Sequence, residues 1–155
     1  MYMPAFMAFV HHLAAFTLVS TVVVETALFK PPLSVVQARR IQITDSLYGI
    51  SAGVLVVVGL LRVFFFEKGA GYYFEDVFFL IKLGVFAMVG LLSIYPTVLF
   101  LSWRKALRQG IAPDISPAQV RRARLCLMWE LAGIVLILLC APLMARGFGY
   151  FGAHS

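Results

Sequence analysis

Apolar residues form four long runs, separated by short polar stretches. The runs cover about 4–29, 46–66, 76–101 and 123–145. Each is longer than the roughly 18 residues that mark a candidate membrane-spanning helix. None shows the alternation over ~10 residues that is typical of a transmembrane strand. The pattern therefore predicts an all-α integral membrane protein, with residues 1–155 forming a single transmembrane domain folded as a four-helix bundle.

Polar residues at the borders of the runs indicate where the helices begin. The second helix is predicted to start near Thr44, Asp45 and Ser46, where a side-chain oxygen can cap exposed amide groups. Residues 33–43 either extend that helix or lie at the membrane interface. The acids Glu75 and Asp76 suit the positive end of the third helix, and Ser116 followed by proline is typical of a helix start. The fourth helix is thus expected to cover about 117–145, with its polar first turns outside the membrane.

The composition agrees with a membrane protein. Hydrophobic residues make up 62% of the chain and charged residues 13%, against roughly 45–50% and 25% in soluble domains. The formal net charge of +6 does not indicate nucleic-acid binding, because the basic residues lie at the edges of apolar runs. The predicted surroundings are a lipid bilayer, and Trp103 and Trp129 are predicted to anchor the chain at its interface.

The basic residues also predict an orientation. They concentrate in the connection between helices one and two and in the connection between helices three and four, namely Lys30, Arg39, Arg40, Arg104, Lys105, Arg108, Arg121, Arg122 and Arg124. The positive-inside rule places both connections in the cytoplasm and both termini on the outer, periplasmic side. We therefore expect a multi-pass protein of the bacterial inner (cytoplasmic) membrane, for which homo-oligomerisation is open.

Six ionisable residues lie within or near the apolar runs. A charge near the bilayer centre costs on the order of 2.5–3.5 kcal/mol on insertion scales, so such residues are functional candidates. Counting ~1.5 Å of rise per residue separates them into two depths. The outer layer contains His11, His12, Arg62 and Lys82, and the inner layer contains Glu25 and Glu130.

The outer layer has the composition of a haem site. A histidine that faces the interior of a four-helix bundle is a natural axial ligand. Neighbouring residues diverge by ~100° around a helix, so only one of His11 and His12 can bind a given iron. Arg62 would pair with the propionates, and Lys82 would be either a second axial ligand, if uncharged, or another propionate partner. A bis-histidine site is hard to assemble, since His154 is at the C-terminus. Copper at the histidine pair is another possibility.

The same residues also have purely structural interpretations. The two histidines could hydrogen-bond across helices, and the two outer cations could extend to the lipid headgroups. Glu25 and Glu130 could pair with each other, with Arg104 or with Arg124, or they could move protons.

Three short motifs carry a resemblance to known membrane proteins. FVHHLAA (9–15), LIKL (80–83) and LSIYPT (92–97) resemble a small bacterial membrane-protein family of unknown function over essentially the whole chain. More distantly, a helix-one histidine with a helix-three lysine is similar to the HemJ-type protoporphyrinogen oxidases and to copper-resistance-D-like membrane proteins.

The HemJ resemblance implies a four-helix haem b protein that oxidises protoporphyrinogen. The family's histidine would correspond to His11 or His12, and its lysine to Lys82. The family's helix-one arginine has no counterpart, since Glu25 occupies that neighbourhood. Phe78 stands where the family would have a tryptophan. The resemblance thus favours haem binding over that particular oxidation.

Three functions follow as hypotheses. The first is a membrane protein that binds one b-type haem in its outer half and takes part in electron transfer or haem-dependent oxidation, with a redox protein or a porphyrin as partner. It would then be a haem-dependent membrane oxidoreductase. The second is a cofactor-free accessory or structural subunit. The third is a small proton-coupled transporter that uses Glu25 and Glu130.

Overall fold

Four long helices account for most of the chain. The computed structural model describes residues 2–66 and 76–146; the predicted C-terminal tail, with His154, lies outside this range. The helices are α1 (Met3–Leu28), α2 (Val35–Leu61), α3 (Val77–Ser102) and α4 (Pro117–Ala145). All four are long and apolar enough to cross a membrane. The all-α architecture with four candidate spans is therefore confirmed.

Two of the predicted helix starts are confirmed by their capping bonds. At α3, Asp76 Oδ1 accepts hydrogen bonds from the amides of Phe78 and Phe79 at 2.8 and 3.2 Å. At α4, Ser116 Oγ accepts from the Gln119 amide at 3.3 Å. These side chains satisfy amide groups that have no partner within the first turn of a helix.

The second helix begins before its apolar run. Residues 35–43 extend it, as one of the two alternatives for residues 33–43 predicted, and only the start near Asp45 is wrong. α2 begins at Val35, where Ser34 and Gln37 form a capping box: the Gln37 amide donates to Ser34 Oγ at 3.2 Å, and the Ser34 amide donates to Gln37 Oε1 at 3.0 Å. Asp45 consequently lies inside the helix and caps nothing. α2 ends at Leu61 and continues into a π-helical turn, Arg62–Phe66.

The helices form a ring in chain order. α1 packs mainly against α2, and α3 mainly against α4, which makes two antiparallel hairpins. The hairpins meet where α1 contacts α4 and where α2 contacts α3. Each helix thus has two neighbours, and the interior of the ring is the place where residues from all four helices meet.

The larger of the two apolar clusters formed by the described residues lies at one end of the bundle. We call this the basic end; it carries the connections 29–34 and 103–116. Phe29, Phe100 and Trp103 form an aromatic group there, with ring centroids 5.0–6.4 Å apart. Trp103 is only 4% exposed, so the prediction that it anchors at the interface is wrong: its ring stacks on Phe29. Trp129 is 61% exposed, as expected for an interfacial residue.

A second apolar cluster lies further along the bundle, where α3 and α4 approach each other closely. Val89 of α3 is buried and packs beside Gly133 of α4. A β-carbon built on Gly133 would lie 2.5 Å from Val89 Cγ2 and 3.4 Å from Val85 Cγ1. The missing side chain at Gly133 is therefore what lets these two helices approach, as small residues do in membrane bundles.

Candidate functional site

Two glutamates from different helices are buried in the interior of the bundle. Glu25 of α1 is 2% exposed and Glu130 of α4 is 1% exposed. Each has an Oε1 atom that is buried without a hydrogen-bond partner among the described residues. The two carboxyl groups interact electrostatically. Neither is brought to Arg104 or Arg124, whose side chains are exposed. The structure thus brings the two predicted inner residues together and leaves the proposed arginine partners outside.

A third carboxylate joins them from α2. Asp45 is 6% exposed and acts electrostatically on both Glu25 and Glu130. Its Oδ1 atom accepts a hydrogen bond of 2.7 Å from the Thr97 hydroxyl of α3. We call Glu25, Asp45 and Glu130 the carboxylate cluster. Together with Thr97 it draws polar groups from all four helices into one layer.

Asp45 is not among the buried ionisable residues predicted from the sequence, because it lies in the stretch that is interpreted there as a helix start. The pattern that could have revealed it is the spacing of Ala38, Ile41, Asp45 and Tyr48, which recur every three or four residues along α2. All four are buried. On a helix that begins at Val35 this spacing defines one inward face, and Asp45 lies in the middle of it.

Tyr48 lies one turn further along the same face of α2. It is 5% exposed, its side chain lies near that of Ser93 of α3, and it interacts electrostatically with all three carboxyl groups of the cluster. The layer therefore contains a phenol and two hydroxyls beside three carboxyls. These groups can both donate and accept protons.

The predicted outer residues are also grouped, with one exception. His11 is half-buried, and its Nδ1 atom is buried without a hydrogen-bond partner in the part of the chain described. Arg62 and Lys82 both act on it electrostatically. His12, by contrast, is exposed, and its Nδ1–H donates to the Ala8 carbonyl oxygen at 2.6 Å. Of the two histidines, only His11 is turned towards the other outer residues.

His11 packs against the backbone of α2. A β-carbon built on Gly59 would lie 3.6 Å from His11 Cε1, so the imidazole lies close to the surface that the glycine leaves bare. Cys140 of α4 is buried and interacts electrostatically with Lys82. The outer group, which we define as His11, Arg62 and Lys82, thus has a sulfhydryl as its neighbour on the fourth helix.

The comparisons with known proteins identify a family. The model of the family described as "Predicted membrane protein (DUF2214)" matches residues 3–149, which is nearly the whole chain. The chain belongs to the DUF2214 family. This supports the resemblance to a membrane-protein family of unknown function. Searches of curated proteins and of solved structures found no match, and the comparisons give no support to the HemJ-type similarity.

In this DUF2214 protein, the carboxylate cluster is the larger buried polar site. Negative charges in a medium of low dielectric constant repel one another. The described residues contain no group of three or more His, Cys, Asp or Glu residues that could hold a metal ion.

Proposed function

We propose that this membrane protein moves protons across the bilayer, with the carboxylate cluster as the site where protons are held and passed on. The observation that carries the proposal is the cluster itself: three carboxyl groups from three helices, all nearly inaccessible to solvent and none paired with a basic side chain within the described ranges. Placing a charged carboxylate inside a membrane protein costs free energy, and carboxylates found there are typical of proton relays.

The three carboxyl groups have different surroundings, which suggests different parts in the relay. Asp45 is held by the Thr97 hydroxyl, so its orientation is set by the contact between α2 and α3. Glu25 and Glu130 each keep an oxygen without a hydrogen-bond partner among the described residues. Those two oxygens are the atoms on which a proton can arrive without first displacing another donor.

The proposal includes an orientation and a location. Both basic connections would face the cytoplasm and both termini the outer side of a bacterial inner membrane, following the distribution of lysine and arginine. Glu25, close to the basic end of α1, would then lie on the cytoplasmic side of the bundle. The outer group around His11 would lie towards the opposite side, where an imidazole can exchange protons near neutral pH.

Proton flux into liposomes tests the proposal. The purified protein is reconstituted with a pH-sensitive dye inside the vesicles, and a proton gradient is imposed in the presence of valinomycin and K⁺. The expected result is a flux above that of empty liposomes. It should fall at least about tenfold in the double variant Glu25→Gln/Glu130→Gln, because an amide cannot accept and release the proton.

Asp114→Asn is the matched control, because Asp114 is an exposed carboxylate in the connection between α3 and α4. It should conduct like the unmodified protein. An unchanged flux in the double variant would remove the cluster from the mechanism. A wild-type flux equal to that of empty liposomes, or one driven by a Na⁺ gradient instead of a proton gradient, would overturn proton movement as the function.

A second candidate function is binding of one b-type haem by the outer group. The specific observation in its favour is the buried, unpartnered Nδ1 atom of His11 in the described chain, which has the chemistry of an axial ligand. Arg62 and Lys82, both within electrostatic range of His11, would hold the propionates. Haem, when bound, would supply one-electron transfer.

The optical spectrum separates this candidate from proton movement. If haem binds, the detergent-solubilised protein supplied with haemin should show a Soret band that responds to dithionite. His11→Ala should abolish the band, whereas His12→Ala should keep it, because His12 faces away from the bundle and is bonded to its own helix. A spectrum without haem absorption, or equal loss in the two variants, would contradict haem ligation by His11.

A further inference from the structure

A groove with three arginines opens at the basic end of the bundle, away from the carboxylate cluster. It lies between α2 and the short helical segment Arg104–Arg108 that follows α3, and it has a volume of about 540 Å³. Arg39, Arg104 and Arg108 line it together with apolar side chains, and no acidic residue takes part in its lining. The groove is thus positively charged and lies beside the end of a membrane span.

Two long-range hydrogen bonds hold the walls of the groove together. Arg39 Nη2 donates to the Leu107 carbonyl oxygen at 2.9 Å, and Gln42 Nε2 donates to the Phe100 carbonyl oxygen at 2.5 Å. Both bonds connect α2 to the end of α3 or to the segment after it. They fix the distance between the two walls, so the groove is a built feature of the fold and does not depend on the position of one mobile side chain.

The remaining two guanidinium groups are available to a ligand. Arg104 and Arg108 are exposed, and the described part of the chain supplies neither a hydrogen-bond nor an ion-pair partner for their side chains. They are four residues apart in one helical segment and therefore project from the same side. Guanidinium groups arranged in this way match the charge and geometry of a phosphate group.

The apolar part of the lining determines what kind of phosphate fits. Ile43 and Leu47 of α2 line the groove below the arginines and are 62% and 46% exposed. They are also four residues apart, on one face of α2. A ligand that fills the groove therefore needs a negatively charged head and an apolar chain.

We propose that the groove binds one anionic phospholipid, with its phosphate between Arg39, Arg104 and Arg108 and an acyl chain against Ile43 and Leu47. Basic pockets between transmembrane helices are typical sites for anionic headgroups. A free phosphate ion shares the charge but leaves the apolar wall uncovered. Bound at this place, the lipid would join α2 to the end of α3 and so stabilise the contact between the two hairpins.

Native mass spectrometry of the full-length protein in detergent tests the site. The protein is titrated with phosphatidylglycerol, with phosphatidylcholine and with inorganic phosphate. We expect one high-affinity phosphatidylglycerol molecule per chain, and weaker binding of phosphatidylcholine. Arg104→Gln/Arg108→Gln should bind phosphatidylglycerol about thirtyfold more weakly, which corresponds to the loss of about 2 kcal/mol from two basic residues near the headgroup. Arg104→Lys/Arg108→Lys should recover part of the affinity.

The control is Arg121→Gln/Arg122→Gln, which removes the same charge from exposed positions of α4 outside the groove. It should bind phosphatidylglycerol like the unmodified protein. Equal weakening in the two double variants would mean that only general surface charge is involved, and would overturn the site. Complete displacement of the lipid by millimolar inorganic phosphate, or equal binding of phosphatidylcholine, would overturn the assignment to an anionic phospholipid.

Discussion

Replacing Phe100 by alanine is expected to lower the free energy of unfolding by about 3 kcal/mol. This is the low end of the range for replacing a buried aromatic side chain by alanine. Phe100 is fully buried, and its ring contacts both Phe29 and Trp103, at centroid distances of 5.7 and 5.0 Å. Truncation would leave a cavity at the basic end of the bundle, between the rings of Phe29 and Trp103. The low end applies because helices unfolded in a micelle remain in an apolar medium, so the transfer from water contributes little.

Titration with sodium dodecyl sulfate in dodecyl maltoside micelles measures this effect. Phe16→Ala is the matched control, because Phe16 is 71% exposed and its ring faces the outside of the bundle. The control should change the free energy of unfolding by less than about 0.5 kcal/mol. If both variants lose the same stability, the aromatic group at the basic end is not the main packing unit of the bundle.

Replacing Gly133 by alanine is expected to lower the free energy of unfolding by about 1–3 kcal/mol, the usual range for overpacking. The new β-carbon would lie 2.5 Å from Val89 Cγ2, and Val89 is itself buried, so the valine has little room to move. The two helices must separate locally to admit the methyl group. The same detergent titration reports the loss.

A compensating variant distinguishes this clash from a general effect of alanine. Val89→Ala removes the methyl groups that the new β-carbon would contact. Gly133→Ala should therefore lower the free energy of unfolding much less in the Val89→Ala protein than in the unmodified protein, which is a favourable coupling energy in a double-mutant cycle. Gly90→Ala provides the control, since nothing lies within 4 Å of a β-carbon there. Additive losses at positions 89 and 133 would contradict the close approach of α3 and α4.

The four spans could be predicted from the sequence because their signal is local. Long apolar runs and the capping residues Asp76 and Ser116 specify α3 and α4 without reference to any other part of the chain. The sequence leaves the start of α2 open between two places, because two capping signals compete. Ser34 with Gln37 forms the cap in the structure, whereas the more polar stretch around Asp45 lies inside the helix.

The candidate site could be predicted only in part. Depth along each helix grouped Glu25 with Glu130, and His11 with Arg62 and Lys82, because the rise per residue of a helix is constant. The electrostatic contacts within both groups agree with that grouping. The side chains of two neighbouring helical residues point in directions that differ by ~100°. Which of the two adjacent histidines faces inwards therefore depends on how α1 is rotated about its own axis, and the sequence does not determine this rotation.

Four candidate membrane spans and the relative depths of the ionisable residues follow from the sequence, because hydropathy and helical rise are properties of each segment alone. The position of Asp45 beside Glu25 and Glu130, the exposure of His12 and the groove with three arginines are visible only in the folded molecule. Those relations depend on the rotation and pairing of whole helices, which are set by contacts between residues distant in the chain, such as Val89 with Gly133 and Gln42 with Phe100.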